Sequence, residues 1–161
     1  MKNDHAFFPI FMDLTGRKIT VIGAGTIAAR RVKVLCDFGA DVTVVAEEIS
    51  DAIRELPVQI KEAHIAVPGM EQIDNDRFDL STLMERSFLV LAATDNEKVN
   101  NYICGMAKHK GIPVNIASDH TKCDFYFPGI VQKDDMVVGV VGTGSNHKRV
   151  REIKEKIEEI L

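Results

Sequence analysis

The chain has 161 residues, 45% hydrophobic and 27% charged, with a formal net charge of −4; that suffices for one domain with a real core and at most a small appendage. The acidic balance offers no basic field for nucleic acid, and no apolar run approaches the roughly 20 residues of a membrane helix. The scattered cysteines Cys36, Cys104 and Cys123 form no C-x-x-C pair and leave an odd count, which argues against a disulfide framework or a cysteine-built zinc site and points to a reducing cytoplasm.

The opening MKNDHAFFPIFMDL puts acids and a proline where a secretory signal would keep an unbroken apolar core. Residues 18–23, KITVIG, are a β-branched run that stops at glycine and predict a buried strand. Over residues 26–38, Ala28, Val32, Leu35 and Phe38 recur at helical spacing among Arg30, Arg31 and Lys33, and Gly39 supplies the stop. Residues 41–46 predict a second strand, and 58–65 a third with alternating polarity. A short helix over 79–86 precedes the continuous apolar strand 87–94. Residues 96–110 are helical again, and 112–117 make a further strand. Cys36 and Cys104 fall inside the helical patterns and are expected in the core.

Strands alternating with helices imply an α/β fold, a Rossmann-type parallel sheet with helices on both faces. After Ala117 the pattern changes. Two strands joined by Lys133-Asp134-Asp135 are followed by a helix with Val150, Ile153, Ile157 and Leu161 on one face. This β-β-α tail is too small to bury its own core and is expected to pack on the sheet or on a second copy of itself. The expected division is 1–117, an NAD-binding Rossmann domain, and 118–161, a dimerisation and substrate-site segment.

Gly23-Ala24-Gly25-Thr26-Ile27-Ala28 has the G-x-G-x-x-A form of a dinucleotide turn. Gly23 permits the tight exit from the strand, Gly25 lets backbone approach a pyrophosphate, and Ala28 keeps the helix close to the sheet. The plain alternative is a glycine turn that binds nothing. Glu47 and Glu48 follow the second strand, where an acid would hold the adenosine ribose. No Arg or Lys stands beside them for a 2′-phosphate, so NAD is expected over NADP; alternatively, both glutamates cap the next short helix. Ala93, Thr94 and Asp95 end the fourth strand at the same edge, as a third cofactor contact or as a helix cap.

FPIFMDLTGRKITVIGAGTIAARR, AATDNEKVN and PVNIASDHTKCDFYFPGIV follow one another along nearly the whole chain. Through them the sequence resembles the precorrin-2 dehydrogenase and sirohydrochlorin ferrochelatase family, the N-terminal part of sirohaem synthases. The resemblance implies oxidation of precorrin-2 to sirohydrochlorin with NAD, ferrous iron insertion in some members, and a homodimer whose tail helps to build the active site. It places Gly23, Gly25, Thr26, Ile27, Glu47, Glu48, Ala93, Thr94 and Asp95 at the cofactor. It also places Asn115 at the substrate.

Three departures accompany it. The family's general base lies three residues after that asparagine, where this chain has Ser118, with Asp119 one place later. Either Asp119 takes the role or the base is weakened, since a serine hydroxyl is no base near neutral pH. His147, Lys148 and Arg149 crowd the first turn of the last helix against its dipole, and are expected either to meet substrate carboxylates or to form a solvated face. Family members usually continue past the point where this chain ends, so dehydrogenation is expected ahead of metal insertion. His120-x-x-Cys123, flanked by Asp119 and Asp124, lacks a second ligand pair, and no metal site is expected. His5, His64 and His109 carry no signal.

Two rival readings remain. One is a non-catalytic NAD-binding regulatory module, which would share the glycine turn but not CDFYFPGIV. The other is a family member retaining only chelatase or carrier function, for which Ser118 is the support.

Overall fold

The structure, a computed structural model, describes residues 7–67, 78–142 and 147–161. In chain order its elements are β1 (Lys18–Ile22), α1 (Thr26–Asp37), β2 (Asp41–Ala46), α2 (Asp51–Arg54), β3 (Gln59–Glu62), α3 (Leu80–Glu85), β4 (Leu89–Ala92), α4 (Glu97–His109), β5 (Val114–Ile116), a single 3₁₀ turn (His120–Lys122), β6 (Gly129–Lys133), β7 (Met136–Val140) and α5 (His147–Ile160).

The first five strands form one parallel sheet in the order β3-β2-β1-β4-β5. Its central strands are near-continuous apolar runs because both faces are covered. Ile19, Val21, Ile22, Val44, Val90 and Leu91 are at most 1% exposed. The helices begin and end where local chemistry dictates. Asp79 accepts the Thr82 N–H ahead of α3, Asn96 accepts from Lys98 and Val99 ahead of α4, and Gly39, at φ 76°, turns the chain out of α1. Strand order reverses between β1 and β4, so the crevice at their carboxyl ends is the natural ligand position.

The pattern reading overextended the strands. The third was expected over 58–65 but pairs only over Gln59–Glu62, an edge strand with exposed polar neighbours. Cys104 is buried as expected, whereas Cys36 is only half-buried.

The chain divides into two compact units, one from Asp13 to Phe125, the other grouping the residues up to Met12 with Tyr126–Leu161. The first unit runs on past Ala117 to Phe125 because residues 123–125 bond back onto β5. In the second unit β6 and β7 pair antiparallel from Gly129↔Val140 to Lys133↔Met136. Asp134, at φ 53°, makes their turn. Val150 of α5 lies over Gly129, and Phe7 contacts the Tyr126 ring at 4.3 Å. Among this unit's described residues only Val131 is a buried hydrophobic, while Phe8, Phe11, Met136 and Ile160 are half-exposed or more. The tail has no core of its own, as its length predicts. Residues 143–146, which precede α5, lie outside the described residues.

Candidate functional site

A cleft of about 780 Å³ opens at the carboxyl ends of β1, β2, β4 and β5. Its floor is the turn between β1 and α1. Gly23 sits at φ 107° and donates to Val45 O at 2.8 Å. A Cβ there would stand 2.4 Å from Ala93 O and 2.8 Å from Thr94 N, so only glycine lets the turns after β1 and β4 meet. Gly25 is the N-cap residue of α1 and makes no side-chain cap; the first turn of the helix holds no acid. A Cβ at Gly25 would meet nothing within 4 Å. The leading N–H groups of α1 thus reach the cleft without a side-chain acceptor, and the helix dipole adds partial positive charge. These residues fit a pyrophosphate. Ala28, 0% exposed, seats the helix on the sheet, and Ile27 lines the cleft.

Glu47 and Glu48 line the same cleft beyond β2. They do not cap α2, whose N-cap residue is Ser50. Glu47 pairs with Nδ1 of His64, which follows β3 and also lines the cleft. Sequence periodicity passed over His64, since nothing local signals a contact made by the adjacency of two parallel strand ends. The nearby Arg54 is held by Glu62 at 2.7 Å.

Ala93, Thr94 and Asp95 line the cleft's other side. Here too the capping alternative fails, because Asn96 caps α4 while its own N–H donates to the Thr94 hydroxyl at 3.2 Å. Thr94 is held by Asn100, a fully buried residue of α4 that the sequence reading also missed. An asparagine at an inward helical position was its available signal.

The segment after β5 behaves differently. β4 covers one edge of β5, and the residues of the C-D-F motif close the other. Asp124 N donates to Val114 O at 2.9 Å, and Val114 N donates to Asp124 Oδ2 at 3.0 Å. Ile116 N donates to the Cys123 sulfur at 3.2 Å, and that thiol lies 3.3 Å from Ile116 O. Burial raises the Cys123 pKa, which keeps the thiol a neutral partner rather than a nucleophile. Asn115, 3% exposed, donates to Phe125 O at 2.7 Å. Its Nδ2 thereby anchors this segment, while its Oδ1 is buried without a hydrogen-bond partner.

Asp119 starts the 3₁₀ turn. Its carboxylate accepts from Thr121 N at 3.0 Å and Thr121 Oγ1 at 2.6 Å, and lies 3.2 Å from Lys122 Nζ. The Thr121 and Lys122 donors hold its pKa down to about 2. Ser118 is exposed, next to the cleft-lining Ala117, with its hydroxyl 3.4 Å from Asn100 Nδ2. Among the described residues no three His, Cys, Asp or Glu side chains are grouped to hold a metal ion. His147, Lys148 and Arg149 are exposed on the first turn of α5, where Lys148 lies 3.9 Å from Glu152.

The family model described as "Putative NAD(P)-binding" matches residues 10–129. The probable multifunctional siroheme biosynthesis protein HemA of Ruminiclostridium josui is 38% identical over 154 residues, 95% of this chain and 28% of that protein. The siroheme synthase of Pseudomonas fluorescens is 34% identical over 152 residues, 94% of this chain and 31% of that protein. The chain thus spans just under a third of the length of these curated relatives. Among solved structures, the precorrin-2 dehydrogenase SirC shares the fold, with a TM-score of 0.69 and 24% identity over 96% of this chain and 71% of that one.

Proposed function

The chain belongs to this NAD(P)-binding family, and we propose that it is an NAD-dependent dehydrogenase that oxidises precorrin-2 to sirohydrochlorin in sirohaem synthesis. The observation that carries the dinucleotide reading is the uncapped N-terminus of α1 behind Gly23 and Gly25, opening on a cleft that has Glu47 and Glu48 at one end. The substrate is inferred from the siroheme-synthesis relatives and from the C-D-F-Y-F-P segment.

NAD, when bound, supplies the hydride acceptor. The first turn of α1 holds the pyrophosphate, and Glu47 with Glu48 accepts ribose hydroxyls. A 2′-phosphate would meet two carboxylates and no unengaged arginine among the described residues near β2, which favours NAD over NADP. Glu48→Gln should narrow the ratio of NADP⁺ to NAD⁺ dissociation constants; an unchanged ratio would remove Glu48 from the ribose site.

Proton removal is the weak point of the site. A carboxylate held near pKa 2 by hydroxyl, amide and ammonium donors is a feeble base at neutral pH, and Ser118 offers none. Dehydrogenation releases a proton with its hydride and metal insertion strips two pyrrole protons, so a weak base burdens both steps and the insertion more. The same observation supports the rival reading of an NAD-binding partner without catalysis.

Lys148 and Arg149, with His147, would serve a polycarboxylate substrate; alanine at both should raise KM several-fold, and an unchanged KM would return them to solvent. The exposed apolar side chains of the second unit support a homodimer, to be checked by sedimentation. No helix among the described residues is long and apolar enough to cross a membrane, and a cytoplasmic setting suits the free thiols. The decisive experiment is anaerobic incubation with precorrin-2 and NAD⁺, following the absorbance of sirohydrochlorin. Product is expected; none from a folded, NAD-binding protein would refute the dehydrogenase.

A further inference from the structure

Asn100 stands one turn into α4 and is 0% exposed, beside the apolar core residues Ile103 and Cys104. A carboxamide is costly at such a place unless its groups are satisfied. Here they are spent on two turns of the cleft. Oδ1 accepts the Thr94 N–H at 3.1 Å and lies 2.8 Å from the Thr94 hydroxyl. Nδ2 donates to Thr94 O at 2.9 Å and reaches Ser118 Oγ at 3.4 Å. Reversing the amide would set donor against donor at Thr94 N and acceptor against acceptor at Thr94 O, so the network itself fixes the orientation.

Thr94 follows β4 and Ser118 follows β5, adjacent strands of the sheet. A single buried side chain therefore joins the two turns at this end of the cleft, while Glu47 and Glu48 stand at the other, beyond β2. With the adenosine ribose at Glu47 and Glu48, the nicotinamide half extends over β4. From this geometry, and resting on the dinucleotide reading above, we infer that Asn100 is a positioning residue for the nicotinamide half of the cofactor. It fixes Thr94 and Ser118 as one wall and leaves the adenosine half untouched.

The experiment compares NAD⁺ with ADP, which lacks the nicotinamide half, by calorimetric titration of the full chain. Asn100→Ala should raise the NAD⁺ dissociation constant about tenfold while ADP stays within about twofold, because only the wall after β4 and β5 loosens. Asn100→Asp keeps the acceptor for Thr94 N but loses both donors, and the same selective loss is expected. Should neither variant fold, the wild-type chain still decides. NAD⁺, but not ADP, should shift the Ser118 amide resonance and the side-chain amide resonances of Asn100. Equal losses for the two ligands, unchanged NAD⁺ affinity, or equal resonance shifts with ADP would overturn the inference. A wild-type chain that binds neither ligand would overturn the dinucleotide reading, and this inference with it.

Discussion

The turn after β1 contains no side chain that titrates or coordinates, whereas residues 115–125 hold two aspartates, a histidine, a lysine and a cysteine. Their roles run opposite to that inventory. The glycine turn leaves backbone donors facing the cleft, with no side chain capping the helix behind it. In the later segment, Asp119 is spent on Thr121 and Lys122, Cys123 on Ile116, Asp124 on Val114, and Asn115 on Phe125. A carboxylate already holding its donors acts as a cap, whereas bare backbone at an uncapped helix start can bind an anion. Abundance of functional groups is thus a poor guide to where chemistry is free to happen.

The largest test of this contrast is at Gly23. Gly23→Ala puts a methyl into the backbone of Ala93 and Thr94 at a positive φ, so a loss of about 3 kcal/mol or more is expected in urea unfolding, and NAD⁺ binding should go with it. Near-native stability in this variant would show that the two turns do not meet as closely as described. Gly25→Ala should separate folding from binding. Its φ of −77° suits alanine and its Cβ meets nothing, so the entropic gain and the poorer N-cap offset each other and stability should stay within about 1 kcal/mol of the parent. NAD⁺ affinity should nevertheless fall on the order of 10-fold or more, because the methyl occupies the path of the pyrophosphate. Unchanged affinity would move the phosphate site away from Gly25.

Asp124→Ala probes the other member of the pair. It strips Val114 N of its acceptor and should cost about 1–2 kcal/mol, with NAD⁺ affinity unaltered in titration. A variant that weakens NAD⁺ without losing stability would return the C-D-F segment to the binding site.

The smallest effect is expected at Asp119. Its folded pKa lies near 2, below the ordinary 3.8, so its contribution to stability is present above about pH 4 and is lost as pH falls towards 2. Asp119→Asn should therefore be slightly less stable than the parent at neutral pH, with the gap closing in acid. Turnover, followed by sirohydrochlorin formation, should survive the change. Loss of turnover with an acidic limb near pH 6 would restore Asp119 as the base.

Much of the molecule was legible beforehand. The G-x-G-x-x-A spacing between a β-branched run and an amphipathic helix placed Gly23, Gly25 and α1 correctly, because strand, turn and helix are contiguous in the chain. Glu47, Glu48 and the Ala93–Asp95 loop line one cleft, as expected from the rule that parallel strands all end at one edge. The capping alternatives for both loops could not be dismissed until Ser50 and Asn96 were seen to hold those positions. His64 and Asn100 escaped notice because their partners, Glu47 and Thr94, reach them through the neighbouring strand end and the returning helix. The compact units divide later in the chain than the pattern change for a related reason. Residues 118–125 are irregular in sequence pattern, yet they are tied to β5 by side chains that imitate a sixth strand.

Local propensity and periodicity were thus enough for the α/β architecture, the glycine turn, the hairpin and the last helix, since each depends on neighbours in sequence. Whether an acid, a thiol or an amide is free to act depends on the donors and acceptors that folding brings against it. That is why the partners of Ser118, Asp119, Cys123 and Asn115 could be read only in three dimensions.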